Sequence, residues 1–168
     1  RMSVLLHETG AQAAEKLHDA DIIILNGCEV REKAVHKMLS QLGELKGAKN
    51  KLIGVGGCVG QLDGANLFKR NPHIDFVFGT DKIDDLPEMI YQVAQGTRHI
   101  VFNNFDKSKD YSTETKIFNP SAQAYVNIMK GCDKFCSFCI VPFTRGREKS
   151  RTIQEVVSDV SRLVLLGV

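Results

Sequence analysis

The chain has 168 residues, 43% hydrophobic and 25% charged, the composition of an ordinary globular protein. No run of about 18 apolar residues occurs, so no membrane-spanning helix is expected. A net charge of +2 carries no argument for nucleic acid, so any such argument must rest on local residues.

The chain begins with Arg1 rather than Met, and Arg1 to Gly10 lack the apolar core of a secretory signal. We therefore expect a piece of a longer cytoplasmic protein. Ala20 to Asn26 is a β-branched run with the pattern of a strand buried on both faces. A helix is predicted from Arg31 to Lys46, where Val35, Met38, Leu39, Leu42 and Leu45 recur at helical spacing. Lys51 to Gly57 reads as a second strand, and Leu62 to Arg70 as a short helix. Asp75 to Phe78 reads as a third strand, and Leu86 to Gln95 as a helix with Pro87 in its first turn. This alternation predicts an α/β, three-layer domain with a parallel sheet over residues 1–95.

Residues 96–123 break the pattern and read as a linker, with one short strand at His99 to Phe102. Residues 124–168 read as the first βα unit of a second domain, with a strand at Ala124 to Met129. Its helix opens with a capping box of Thr152 and Glu155. Ile153, Val156, Val157, Val160, Leu163 and Val164 are expected to form its buried stripe. A strand, loop and helix in this order suit the start of a partial β/α barrel. The chain ends far short of the roughly 200 residues that a closed barrel needs, so this piece alone should not catalyse.

Five cysteines without an export signal favour metal binding over a disulfide framework. Cys132, Cys136 and Cys139 have the spacing C-x3-C-x2-C directly after a predicted strand. A four-iron cluster ordinarily takes four thiolates, so three leave one iron open to a substrate or cofactor. This is the signature of radical-SAM enzymes, where the open iron holds S-adenosylmethionine. Phe138 stands where those enzymes place an aromatic beside the adenine. Zinc is the competing ligand, but it wants four donors, and neither histidine nor a fourth cysteine lies nearby. A closed cluster that only carries electrons is a further alternative.

Cys28 follows the first predicted strand and Cys58 the second, each behind glycine. In a parallel sheet both would reach the carboxyl edge, where ligands bind. Each is either a metal ligand or a small buried hydrophobe. The glycine-rich stretch Gly54 to Gly60 fails the dinucleotide fingerprint, since Val59 takes the third glycine's place, and it lacks the Lys of a phosphate loop. Arg145, Arg147, Lys149 and Arg151 alternate after the cysteine loop. They are candidates for RNA phosphates, although such charge is more often a solvated face.

Asn26-Gly27-Cys28-Glu29-Val30-Arg31-Glu32-Lys33-Ala34, Gly54-Val55-Gly56-Gly57-Cys58-Val59 and Val126 through Gly146 with Ser150-Arg151 resemble the motifs of the methylthiotransferase family of radical-SAM enzymes. The resemblance covers nearly the whole chain and is densest at the cysteines. It implies two four-iron, four-sulfur clusters: one on Cys132, Cys136 and Cys139, and an auxiliary one on three cysteines that include Cys28 and Cys58. The third auxiliary cysteine belongs to an initial strand not included here. Gly27 departs from the family's commoner Thr. Two molecules of S-adenosylmethionine are implied, one giving a methyl group to sulfur and one cleaved reductively to begin attack on an adenine carbon. The implied substrate is isopentenyl-modified adenosine beside the anticodon of tRNA, and the electron donor is flavodoxin or ferredoxin. Sister branches acting on threonylcarbamoyl-adenosine in tRNA, or on a ribosomal protein aspartate, are the alternative; the Phe143-Thr144-Arg145-Gly146 wording favours the isopentenyl branch.

Overall fold

In the computed structural model, residues 1–105 and 123–168 are described. The elements of the first segment are α1 (Met2–Glu8), β1 (Ile22–Gly27), α2 (Glu32–Glu44), β2 (Leu52–Gly56), α3 (Gly57–Asp63), α4 (Asn66–Arg70), β3 (Phe76–Phe78), α5 (Leu86–Ala94) and β4 (Ile100–Phe102). The second segment holds β5 (Met129–Lys130), α6 (Val141–Arg145), β6 (Lys149–Ser150) and α7 (Ile153–Leu165).

Strands β1 to β4 form a parallel sheet in chain order, as the strand–helix alternation predicts. Side chains alternate across it and create two apolar layers. Ile23, Ile53, Val55 and Val77 face Met38, Leu42, Val59 and Leu67 of the α2, α3 and α4 layer. Phe76 and Phe78 face Leu86, Met89 and Val93 of α5, with Met2 and Leu6 of α1 packed beside them. The rings of Phe76 and Phe78 lie over Gly54 and Gly56, where a Cβ would collide with them. Those two glycines are therefore packing requirements of a strand beneath aromatic rings.

Several expectations are corrected. β1 is an edge strand of the sheet, with only Ile23 and Gly27 buried, because among the described residues it has a neighbour on one side. The helix expected from Leu62 begins at Gly57 instead and breaks near Gly64, so Cys58 lies in the first turn of a helix. Ile100–Phe102 pairs along its length with β3, so the sheet continues beyond residue 95.

The strand expected at Ala124 to Met129 shrinks to Met129–Lys130 and pairs antiparallel with β6. A parallel barrel strand needs parallel neighbours, and the described residues supply none. The capping box of α7 is present: the Thr152 hydroxyl accepts from Glu155 N–H at 3.3 Å and Glu155 accepts from Thr152 N–H at 2.8 Å. Its expected buried stripe is not. Only Asp159 and Leu163 are buried, while Ile153, Val157, Val160 and Val164 are exposed. Among the described residues no layer lies over that face.

Candidate metal centre at the sheet's carboxyl edge

Register decides the placement of the two lone cysteines. Asn26 pairs with Gly56, and the next residues, Gly27 and Gly57, form a further parallel bridge. Cys28 and Cys58 therefore each directly follow one of these paired glycines, Cys58 in the first turn of α3. Gly57 makes this possible: at φ +84° it turns the backbone from β2 straight into α3. Cys58 is buried and Cys28 half-buried, and both are free thiols.

Burial alone would raise the Cys28 thiol. The backbone N–H groups of Val30 and Arg31, with the Arg31 side chain and its charge, outweigh this and hold the thiol below its ordinary value. The thiolate, the form that ligates metal, is favoured there. Beside it, burial and then the charge of Asp63 push the Glu29 carboxyl up.

The three-cysteine loop lies between β5 and α6. Cys139 N–H donates to Cys136 O at 2.9 Å, closing a turn, and Cys132 N–H donates to Gly146 O at 3.2 Å. Asp133 accepts from Glu148 N–H at 3.0 Å. Arg147 approaches Asp133 at 3.4 Å and lies 4.9 Å from the Phe135 ring centroid, while Phe135 meets Phe143 edge-on at 6.5 Å. These contacts brace the loop from its own C-terminal side. Cys136 is exposed, Cys132 and Cys139 are half-buried, and none is in a disulfide. Phe138 is 91% exposed, free to meet a ligand.

Among the described residues, no three Cys, His, Asp or Glu side chains already converge on one point as a metal would require. Convergence of such a loop is work that the metal itself does, since thiolates repel until it binds. The donor set is all sulfur, which suits iron–sulfur clusters or zinc and not hard cations.

The two cysteine regions share one place in the fold. Helix α6 packs on α3, the helix that carries Cys58. Thr80 Oγ1 donates to Thr144 O at 2.7 Å, and Thr144 is wholly buried. Lys130, two residues before Cys132, forms an ion pair with Asp81 just past the end of β3, their side chains 14% and 20% exposed. Burial, then Lys149, Arg1 and Arg145, draw the Lys130 ammonium down to about 8, against the favourable charge of Cys58. At neutral pH it remains mostly charged and the pair holds.

Sequence reading missed Lys130, Asp81, Thr80 and Thr144. Asp81 follows β3 at the ligand-binding edge, the one signal that could have found it.

The basic loop divides. Arg145 is exposed and Arg147 braces the cysteine loop with an exposed side chain. Arg151, grouped with them in the sequence, is engaged internally: its side chain is 5% exposed and donates to Asp159 at 2.8 Å, Asn127 O at 3.2 Å and Glu155 O at 3.2 Å. An internal carboxylate claims it before any phosphate can.

Residues 1–79 match the model of "Uncharacterized protein family UPF0004". A tRNA-2-methylthio-N(6)-dimethylallyladenosine synthase of Bdellovibrio bacteriovorus is 48% identical over 172 residues, spanning 100% of this chain and 38% of the relative. Proteins of the same name from Idiomarina loihiensis and Rickettsia canadensis are 42% and 36% identical, covering 100% and 99% of this chain and 36% and 40% of their own lengths. The chain is similar to these synthases along its whole length, and its first 79 residues fit the family model. It spans about two fifths of the length of these curated relatives.

Proposed function

We propose that the protein to which this chain belongs adds a methylthio group to isopentenyl-modified adenosine beside the anticodon of tRNA, in the cytoplasm. The observation that most supports this reading is the shared edge: Cys28 and Cys58 directly follow the paired Gly27 and Gly57, and the loop of Cys132, Cys136 and Cys139 docks beside them through α6 and Lys130. The names of the relatives supply the substrate.

In this reading Cys132, Cys136 and Cys139 hold one four-iron cluster, and Cys28 and Cys58 contribute to a second. Bound there, the clusters supply reductive cleavage of S-adenosylmethionine and a site for sulfur. The chain's own residues do the rest. Arg31 and the neighbouring N–H groups keep Cys28 as thiolate for ligation. Phe138 offers its exposed ring to the adenine of the cofactor. Pro142 and Thr144 of α6, buried against the first domain, keep water from the space between the cysteine sets. Arg145 and Arg147 are the side chains placed to meet phosphates of the tRNA anticodon stem-loop. Flavodoxin or ferredoxin is the proposed electron donor.

The test is iron and sulfide per chain after anaerobic reconstitution, followed by methylthio transfer to isopentenylated tRNA by the intact protein. About eight irons supports two clusters and about four only the clustered triad. Zinc in place of iron, or equal activity on tRNA lacking the isopentenyl group, would overturn the reading.

A further inference from the structure

We infer that the Lys130–Asp81 ion pair and the Thr80–Thr144 hydrogen bond form a clamp that fixes the three-cysteine loop over the sheet edge carrying Cys28 and Cys58. The inference rests on the proposed function for its consequence, though not for its geometry. Lys130 ends the strand that feeds the loop, and Thr144 lies in the helix that leaves it. Their partners Asp81 and Thr80 are consecutive residues beyond the carboxyl end of β3. Both ends of the loop are thus held by one turn of the first domain.

The clamp is directional where the apolar packing around it is not. Helix α6 resting on α3 would tolerate sliding, because dispersion contacts are individually weak and geometrically loose. A hydrogen bond at 2.7 Å and a largely buried ion pair each admit one arrangement. The Lys130 ammonium, with its side chain only 14% exposed, keeps its place because Asp81 answers its charge. Lys130 and Asp81 are positioning residues: they set the separation of the two sulfur sites without touching either reactant. Transfer between two centres is sensitive to misplacement on the order of 1 Å.

Hydrogen exchange on the iron-free chain tests the clamp directly. In Lys130→Met, amides of residues 129–145 should exchange roughly tenfold faster or more, while those of β1, β2 and β3 keep their rates. The swapped pair Lys130→Glu with Asp81→Lys should recover most of the protection. If Lys130→Met does not fold, Thr80→Val, which removes only the donor to Thr144, should show the same local acceleration. In the reconstituted protein, iron per chain should be unchanged while the magnetic interaction between the two reduced clusters weakens. Unchanged exchange over 129–145, or equal acceleration throughout the chain, would overturn the clamp. A wild-type protein that takes up no iron would instead overturn the functional reading and leave the exchange result to decide the clamp.

Discussion

Replacing Gly57 by alanine should separate Cys28 from Cys58 at a measurable cost in stability. Gly57 has φ +84°, and a Cβ there would lie 2.7 Å from the Gly27 carbonyl oxygen. That oxygen belongs to the backbone of the adjacent strand and cannot rotate away. Left-handed strain contributes roughly 1–2 kcal/mol and overpacking about 1–3 kcal/mol, so the loss should be about 2–5 kcal/mol. With a urea dependence of about 2 kcal/mol per molar, the unfolding midpoint should fall by about 1–2.5 M. Relief comes only by moving β2 and α3 off the end of β1, which draws the two thiols apart. A short bifunctional thiol reagent should therefore bridge Cys28 to Cys58 in the wild-type chain and do so poorly in the variant. A midpoint within about 0.3 M of wild type, with bridging intact, would refute the reasoning.

Gly43→Ala is the counterpart: Gly43 is exposed in α2 with nothing within 4 Å of a Cβ, and a gain of about 0.5–1 kcal/mol is expected in the same urea titration. Asp159→Ala should cost about 3 kcal/mol or more by leaving the buried Arg151 guanidinium uncompensated, read as early loss of α7 in hydrogen exchange. Arg145→Ala should leave stability unchanged in the intact protein and lower the salt slope of binding to the tRNA anticodon stem-loop by about 1. The Glu155 carboxyl is held low by the Thr152 N–H and hydroxyl, aided by Arg151 against slight burial. A carboxyl lower in the folded than in the unfolded state contributes fully above its unfolded value and loses that contribution as pH falls through the folded one. Amides of the first turn of α7 should thus lose protection below the ordinary carboxylate range, and Thr152→Ala, costing about 1 kcal/mol at neutral pH, should shrink that acid step while the backbone N–H of residue 152 keeps the rest.

The features legible in the sequence are those written in short spans. The capping box of Thr152 and Glu155 needs two residues three apart, and it forms as read. The strand–helix alternation gives the parallel sheet because each crossover returns a strand in the same direction. The apolar spacing in α7 was equally legible and still misled. Periodicity shows which face of a helix is apolar, while burial depends on whether another layer meets it. Arg151 makes the same point, since alternation of charge cannot distinguish a side chain facing solvent from one facing Asp159.

By itself the sequence determined the cysteine spacing in the loop of Cys132, Cys136 and Cys139 and the similarity to the methylthio-dimethylallyladenosine synthases. Tertiary structure alone decided that Gly27 bridges Gly57 ahead of the two cysteines, that Lys130 reaches Asp81, and that Thr80 holds Thr144. A spacing is set by covalent bonds along the chain and needs no fold to exist. Contacts between distant residues exist only once register and packing have brought separate elements together, and no local pattern encodes the angle at which they meet.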